Sequence, residues 1–598
     1  MSFATPVRDM RFALMHQAGF GAVMSSGAFP DLNDDLLQAV TEEMAKFSDG
    51  VIAPLNEDAD RIGSSIENGV VRTAPGFKEA YAQYVEGGWM GLSMPEEFGG
   101  QGLPESLSLL NIDALNAACM GFAIGLTLTT GAIKAILHAG SDDLKATYLP
   151  KMVSGEWTGS MNLTEPQAGS DLSAVRSKAE PVGDGRYKIT GNKIWITYGE
   201  HDMGEQVVHL VLARLPDAPE GTRGISMFLV PKRFVGDDGA LGARNDLKCT
   251  GIEHKMGLHG SPTCSMSYGD NGECYGWLVG EENRGLQNMF VMMNSARLDV
   301  GVQGVGIAER AFQRALAFAL DRKQGRAPGV KTGDMVRIYE HPDVRRMLYT
   351  QKAMIEASRA ICYAEGVAID RAHTAETEEE RAAAKAREEL LTPIAKAFST
   401  DRANDVTSLG VQVHGGMGFI EETGAAQHMR DARIAAIYEG TNGIQAIDLV
   451  GRKLGMGGGK LVRDLLDEAR ETVADLKAKS HEDLGAIGDG LKREIETVAG
   501  TTDWLVEKNA NGIEDALAGA TPYLKQLGLV AGAHYLGRGA LAAAKAAEAG
   551  DDPKFHGSKV AIARFYADNL LPEAGALGRI ATAGAGTVAP IDPELMTG

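Results

Sequence analysis

The stretch RYKITGNKIWIT (Arg186–Thr197) decides the fold class, because it alternates apolar with polar residues around a Gly-Asn turn and is typical of a β-strand. Two more segments, QVVHLVLARL (206–215) and GISMFLVP (224–231), are rich in β-branched and apolar residues and are bounded by turn clusters. Together they predict a β domain in the middle of the chain.

The sequence on both sides of this segment is helical. Phe312, Ala315, Leu316, Ala319 and Leu320 stand at i, i+3, i+4, i+7 and i+8, which places them on one stripe of a helix. A β module between two helical ones is not an alternating α/β pattern, so a doubly wound nucleotide-binding fold is disfavoured. The predicted class is α+β multidomain, with an N-terminal arm (1–35), a helical domain (36–157), a middle β domain (158–284), a helical bundle (285–455) and an additional helical domain (456–598).

Composition narrows the function classes. The formal net charge of −21 disfavours nucleic acid as a partner, because such binders need a basic face. The N-terminus carries charges where a signal peptide has its apolar stretch, and residues 121–137 fall short of a membrane span. We expect a cytoplasmic protein with five reduced cysteines. The thirteen histidines form no ligand pattern, so no metal is predicted.

Three motifs carry chemistry. The first, MNLTEPQAGSDLSAVRSKAE (161–180), is a loop of small residues that lets backbone N–H groups approach a flat ring or a phosphate. The second, GNKIWITYG (191–199), places Trp195 and Thr197 on one face of a strand. Alone, the first could be an ordinary turn and the second a strand with a core tryptophan. Together they favour a binding site.

The third motif, HGGMGFIEETGAAQHMRDARIAAIYEGTNGIQ (414–445), contains Glu439 between an apolar run and Gly440. A glutamate on an exposed helix is usually just solvated. This one is expected to project from a tight turn into a site of low dielectric, where desolvation would raise its pKa toward that of an effective base.

In combination these motifs resemble the acyl-CoA dehydrogenase family, over roughly residues 36–455. The resemblance implies an N-terminal helical domain, a middle β-barrel-like domain and a C-terminal four-helix bundle, here followed by an extra helical domain. It also implies FAD as the cofactor and Glu439 as the catalytic base.

The resemblance further implies the binding residues. Ser170 would lie between the flavin and the CoA chain, and Gln412, Gly415 and Gly416 would reach the FAD of a neighbouring subunit. Asn294 stands where many relatives have Asp, and Gly325 replaces a Phe-Gly pair, so contacts near the CoA adenine and the pyrophosphate are not fixed by the pattern. The implied FAD ligands are Leu163, Thr164, Gly169, Ser170, Trp195, Ile196, Thr197, Arg322, Gln324, Gln412, Gly415, Gly416, Thr441 and Asn442, and the implied substrate ligands are Ser170, Asn294, Arg297 and Gly440.

The implied reaction is α,β-dehydrogenation of an acyl-CoA to the trans-2-enoyl-CoA, with electrons passing to an electron-transfer flavoprotein. The long form resembles a subgroup whose substrates include 3-(methylthio)propanoyl-CoA, from dimethylsulfoniopropionate breakdown, and also fatty acyl-CoAs. Two other classes share the fold: an oxidase that passes electrons to oxygen, and a DNA-associated flavoprotein, which would need a basic C-terminal region. We expect a homodimer, because the extra domain could cover the surface that other relatives use to form tetramers.

Overall fold

The computed structural model describes residues 3–67 and 69–597. The chain forms two compact units. The β unit comprises Phe3–Thr5 and Asp31–Asp299, and the helical unit comprises Pro6–Pro30 and residues 300–597.

The helices follow the predicted order, with the strands concentrated in the middle of the chain. The first helices are α1 (Val7–Phe12), α2 (Gly21–Met24), α3 (Asp34–Phe47), α4 (Asn56–Arg61), α5 (Phe77–Glu86), α6 (Glu105–Ala139), α7 (Asp142–Val153) and α8 (Gly285–Asp321). The later ones are α9 (Pro342–Thr374), α10 (Glu378–His414), α11 (Ala425–Ala432), α12 (Asn442–Ile447), α13 (Lys460–Lys477), α14 (Glu482–Asn511), α15 (Ile513–Ala518), α16 (Ala520–Glu548), α17 (Pro553–Asn569), α18 (Glu573–Ala581) and α19 (Pro593–Met596).

The main sheet of the β unit has eight strands in the order β10-β11-β5-β12-β7-β6-β3, with β4 paired to β5 and β6. Strand β3 runs parallel to β6, and β5 runs antiparallel to both β11 and β12. Apolar side chains such as Val211, Phe228 and Met266 form the buried core of this sheet. The strands are β1 (Ser65–Glu67), β2 (Val70–Arg72), β3 (Trp157–Asn162), β4 (Lys178–Gly183), β5 (Arg186–Thr197), β6 (Gln206–Arg214), β7 (Ile225–Pro231), β8 (Arg233–Val235), β9 (Leu241–Arg244), β10 (Leu247–Ile252), β11 (Thr263–Tyr268) and β12 (Tyr275–Leu278).

Strands β1 and β2 were not expected, because residues 36–157 had been predicted to be helical. They pair antiparallel, with Ile66 opposite Val71. Val71 is buried in the core of the main sheet. Packing against a distant part of the chain therefore sets the conformation of this short segment, and local periodicity does not reveal it.

Helix α6 is longer and more apolar than the sequence had indicated. It contains residues 121–137, and an 18-residue window has a mean hydropathy of 1.5, enough by length and composition alone to cross a membrane. However, 89% of that window is buried inside the protein, as in the core helix of a globular domain. Cys119 has non-helical dihedrals and divides the helix in two.

In the helical unit, α9 and α10 pack along each other, and α16 packs against both. The N-terminal segment, predicted as an arm, packs into this unit: Met10 and Phe12 are buried. Asp9 accepts hydrogen bonds from Lys352 Nζ at 2.5 Å and Lys559 Nζ at 2.6 Å. All five cysteines are buried.

Candidate functional site

A buried ion pair joins the first two motifs in the β unit. Lys193 Nζ donates to Glu165 Oε1 at 2.8 Å and to the Leu163 carbonyl at 2.9 Å. The Ile194 N–H donates to the Thr164 carbonyl at 3.0 Å. These contacts hold the loop after β3 against strand β5, so the two motifs form one surface.

Glu165 is charged in this setting. Burial would raise its pKa, but Lys193 and hydrogen bonds from Ser177 and the Arg176 N–H outweigh burial and lower the pKa to about 2. Its side chain is 4% exposed, and that of Lys193 is 0% exposed. Charged groups are rarely buried so completely unless paired. Sequence reasoning missed both residues, although they stand inside the two motifs.

Trp195 lies at the exposed edge of this surface. Its φ is 59°, a left-handed conformation that is unusual for a bulky residue and that is concentrated at functional sites. The side chain is 61% exposed. The register between β5 and β11 shifts here, because Cys264 pairs with Ile196 and Met266 pairs with Lys193.

Ile196 and Thr197, which follow Trp195, differ in burial. Thr197 is half-buried, and its carbonyl accepts a hydrogen bond from Ser160 Oγ at 2.9 Å. Ile196 is buried in the core of the sheet, so any contact with a cofactor would use its backbone.

The loop after β3 is open to a ligand. Thr164 is half-buried, and Gly169 and Ser170 are exposed. A Cβ placed on Gly169 would meet nothing within 4 Å. An exposed, strained tryptophan beside an open small-residue loop suits the flat ring of a flavin.

In the helical unit, Glu439 stands in a tight turn, as the third motif had indicated. Glu439 has a φ of 55° and Gly440 one of 85°. Two consecutive left-handed residues reverse the chain sharply, and only the second is a glycine. The Glu439 side chain is half-buried. The preceding Tyr438 donates its hydroxyl hydrogen to Gln303 Oε1, and burial followed by the charge of Glu439 raises the pKa of Tyr438.

Lys396, on helix α10, holds this turn from the side. Its Nζ donates to the Gly440 carbonyl and to Asn442 Oδ1, both at 2.9 Å. Asn442 Nδ2 in turn donates to Asp401 Oδ1 at 2.7 Å, so the Asn442 side chain is bound by its own chain. Lys396 is fully buried, so its hydrogen bonds to Gly440 and Asn442 fix the conformation of the turn. In the sequence, the position of Lys396 beside the apolar run of helix α10 could have indicated a buried lysine.

Thr441 caps the helix that follows the turn. Its Oγ1 accepts a hydrogen bond from the Ile444 N–H at 3.3 Å, at the start of α12. Its predicted contact with FAD, and that of Asn442, stay predictions.

Arg322 and Gln324 lie together at the end of α8. Arg322 Nη2 donates to Gln324 Oε1 at 3.4 Å, and both side chains are exposed. Gly325, which follows them, has a φ of 72°. The chain therefore turns at Gly325, soon after α8 ends, at the place where the family pattern has a Phe-Gly pair.

The glycine pair at the end of α10 is also exposed. Gly415, with a φ of 59°, ends the helix and donates its N–H to the Gln412 carbonyl. A Cβ at Gly415 or Gly416 would meet nothing within 4 Å. The rings of Phe318 and His414 lie 4.5 Å apart, so this end of α10 packs beside the end of α8 that carries Arg322.

Asn294 and Arg297, the predicted CoA ligands in the β unit, bind each other. Arg297 Nη1 donates to Asn294 Oδ1 at 3.1 Å. Arg297 is buried, whereas Asn294 is exposed. Over residues 3–67 and 69–597, no group of three or more His, Cys, Asp or Glu side chains is arranged to hold a metal ion.

Family models match nearly the whole chain. They are described as the acyl-CoA dehydrogenase N-terminal domain (residues 34–156), middle domain (160–270) and C-terminal domain (283–454), and as acetyl-CoA dehydrogenase C-terminal like (465–592).

Individual proteins agree with the family models. A 3-methylmercaptopropionyl-CoA dehydrogenase of Ruegeria pomeroyi is 46% identical over 96% of this chain and 97% of its own. A butyryl-CoA dehydrogenase of Syntrophomonas wolfei is 36% identical over 95% of this chain and 94% of its own. An acyl-CoA dehydrogenase of Bacillus anthracis, solved with FAD, has the same fold, with a TM-score of 0.71 and 23% identity over 95% of this chain and 90% of that one.

The domain matches and the full-length similarity agree with the order of helical, β and helical segments. The chain belongs to the acyl-CoA dehydrogenase family of FAD-dependent oxidoreductases.

Proposed function

We propose that Glu439 is the base that removes the α-proton of the acyl-CoA. The observation that carries this proposal is the turn itself, with a left-handed glutamate followed by a left-handed glycine and a buried lysine fixing the Gly440 carbonyl. A rigid turn holds a carboxylate in one orientation, and positioning of this kind is a large part of proton-transfer catalysis.

The other residues bind and orient the reactants. Trp195 covers one face of the flavin, and Thr164 hydrogen-bonds its pyrimidine portion. The backbone N–H of Glu439 polarises the thioester carbonyl, which acidifies the α-carbon. FAD, when bound, supplies the acceptor for the hydride that leaves the β-carbon. Arg322 and Gln324, which already contact each other, bind the pyrophosphate.

The substrate that we propose is 3-(methylthio)propanoyl-CoA, with 3-(methylthio)acryloyl-CoA as the product. Support comes from the 46% identity, over nearly the full length of both chains, to a relative named for this substrate. A straight-chain fatty acyl-CoA is the alternative, because relatives named butyryl-CoA dehydrogenase are 36% identical over a similar length.

The resemblance also supports an assembly and an electron acceptor. Gln412, Gly415 and Gly416 are exposed at the end of α10, where they could reach the FAD of a second copy. We propose a cytoplasmic homodimer that passes electrons to an electron-transfer flavoprotein. Sedimentation that gives a tetramer would contradict the dimer, and full turnover with oxygen alone would indicate an oxidase.

The test is anaerobic titration of the FAD-loaded enzyme, followed by loss of the flavin's visible absorbance. We expect 3-(methylthio)propanoyl-CoA to reduce the flavin faster than pentanoyl-CoA, its straight-chain counterpart. Glu439→Gln should retain FAD but abolish reduction. Glu422→Gln, an exposed glutamate of the same motif, is the matched control and should behave as the wild type.

Each result leads to a different conclusion. Equal or faster reduction by pentanoyl-CoA and longer esters would replace the thioether substrate with a fatty acyl-CoA. Normal reduction of Glu439→Gln would refute its role as the base.

A further inference from the structure

Two cysteine side chains meet in the core of the β unit. Cys249 lies on β10, and Cys264 lies on the neighbouring antiparallel strand β11. The register shifts between Cys249 and Gly251, and beyond this bulge Ile252 pairs with Cys264. Both cysteines belong to the buried core of the sheet, where their thiols hydrogen-bond to each other. Two thiols in contact on paired strands are the starting arrangement for a disulfide.

The two thiols differ in acidity. The hydrogen bond from Cys264 lowers the pKa of the Cys249 thiol, although burial opposes this change. The same contact, together with burial, raises the pKa of the Cys264 thiol well above its usual value. Because the thiolate is the reactive form of cysteine, Cys249 is the better nucleophile of the two, and Cys264 keeps its proton.

Strand β10 provides access to this pair, because it is an edge strand. It is the first strand in the order of the main sheet and, among the described strands of that sheet, it pairs with β11 alone. Cys249 is 2% exposed and Cys264 is 0% exposed, so an oxidant reaches them only when β10 separates from β11. The bulge interrupts the pairing at this point, and local opening of an edge costs less than global unfolding.

The cysteine pair also adjoins the strand of the second motif. Cys264 pairs with Ile196 on β5, and the register between β11 and β5 shifts between Cys264 and Met266. Trp195, with its left-handed φ of 59°, lies at this shift. A covalent bond between β10 and β11 would therefore restrain the same stretch of β11 that accommodates the irregularity at Trp195.

We propose that Cys249 and Cys264 are an oxidation site that closes to a reversible disulfide and thereby alters the position of Trp195. The oxidant is a peroxide. The Cys249 thiolate attacks one oxygen of hydrogen peroxide, the O–O bond breaks, and the departing hydroxide takes up the thiol proton as water, which leaves a sulfenic acid on Cys249. The Cys264 thiol then attacks that sulfur, so the S–S bond forms and a second water leaves. Two thiols are oxidised to one disulfide, and one peroxide is reduced to two waters.

The first measurement is the mass of the intact FAD-loaded enzyme after treatment with hydrogen peroxide. We expect a loss of about 2 Da, the mass of two hydrogens, reversed by dithiothreitol, with a peptide map that joins Cys249 to Cys264. Cys249→Ser should abolish the loss. Cys264→Ala should stop the reaction at a sulfenic acid on Cys249, which dimedone labels, and this label distinguishes a missing partner from a misfolded variant. Cys274→Ala is the matched control, because Cys274 lies in the same core, and it should behave as the wild type.

The second measurement is the rate of FAD release, followed by flavin fluorescence. Oxidised wild type should release FAD about 2- to 10-fold faster than the reduced enzyme, the range expected for the loss of one aromatic stacking contact. Cys249→Ser treated with the same peroxide should show no change, which controls for oxidation elsewhere. This part rests on the proposed function, because it takes Trp195 as a flavin contact, whereas the disulfide itself does not.

The outcomes are distinct. The absence of a mass loss, or a bond that involves any other cysteine, would overturn the oxidation site. A disulfide that leaves the rate of FAD release unchanged would overturn its effect on Trp195. Neither measurement uses an acyl-CoA, so this inference and the proposed substrate can fail independently.

Discussion

Replacing Lys193 by methionine tests whether the buried ion pair holds the first two motifs together. Methionine keeps much of the side-chain volume but removes the charge and the donor. The Glu165 carboxylate would remain buried without its counterion, and the Leu163 carbonyl would lose its partner. Three donors from Ser177 and Arg176 would still reach Glu165, at 2.6 to 3.0 Å.

Removing one partner of a buried ion pair typically destabilises a protein by about 3–5 kcal/mol, because the other charge is left uncompensated. These donors, together with Gln167 Nε2 at 2.6 Å, place this case near the lower end, at about 3 kcal/mol. For a cooperative unit of this size each kcal/mol lowers Tm by roughly 2 °C at most. We therefore expect Tm of Lys193→Met to fall by about 5 °C and its affinity for FAD to fall as well.

The assay is thermal unfolding followed by circular dichroism and by release of flavin fluorescence. Lys188→Met, a half-buried lysine on the same strand, is the control and should change stability by less than about 1 kcal/mol. A double variant with Glu165→Gln should be more stable than Lys193→Met alone, because it carries no uncompensated buried charge. Wild-type Tm and FAD affinity in Lys193→Met would refute the reasoning.

Three further outcomes follow from the contacts above. Lys396→Met should keep its FAD but lower kcat about 10- to 100-fold, since the Glu439 turn loses charge-assisted hydrogen bonds worth about 1.5–3 kcal/mol. An unchanged kcat would contradict the role of Lys396 in fixing this turn. Because the folded-state pKa of Glu165 is depressed to about 2 from 4.5, its stabilisation is present above pH 4.5 and is lost as pH falls toward 2. Acid unfolding curves of the wild type should show this loss, and those of Lys193→Met should show less of it. Asp9→Asn removes a carboxylate that pairs with Lys352 and Lys559, so trypsin should cleave the N-terminal segment faster. An unchanged cleavage rate would contradict the idea that these ion pairs hold the segment in place.

Much of the site was predictable because its motifs are local. The Glu439-Gly440 turn follows from an apolar run that ends at a glycine, and the structure has left-handed dihedrals at both residues. The exposure of Trp195 beside buried Ile196 follows from strand periodicity. The left-handed φ of Trp195 does not, because it arises where the register between β5 and β11 shifts.

The charged residues that organise the site were not predictable, because their partners are distant in sequence. Glu165 and Lys193 are 28 residues apart, and Lys396 lies 44 residues before Gly440. By itself, each reads as an ordinary surface charge. Only when strands and helices pack does one such residue become buried, and burial then requires a partner.

The sequence by itself determined the order of helical and β segments, the motifs for which we propose flavin binding and the base, and the family, since all of these depend on residues close together in the chain. Tertiary structure decided that Asp9 is anchored by Lys352 and Lys559, and that Val71 is buried in the core of the main sheet. The physical reason is that burial and ion pairing depend on which parts of the chain, distant in sequence, come into contact in the fold. Local periodicity carries no information about these tertiary contacts.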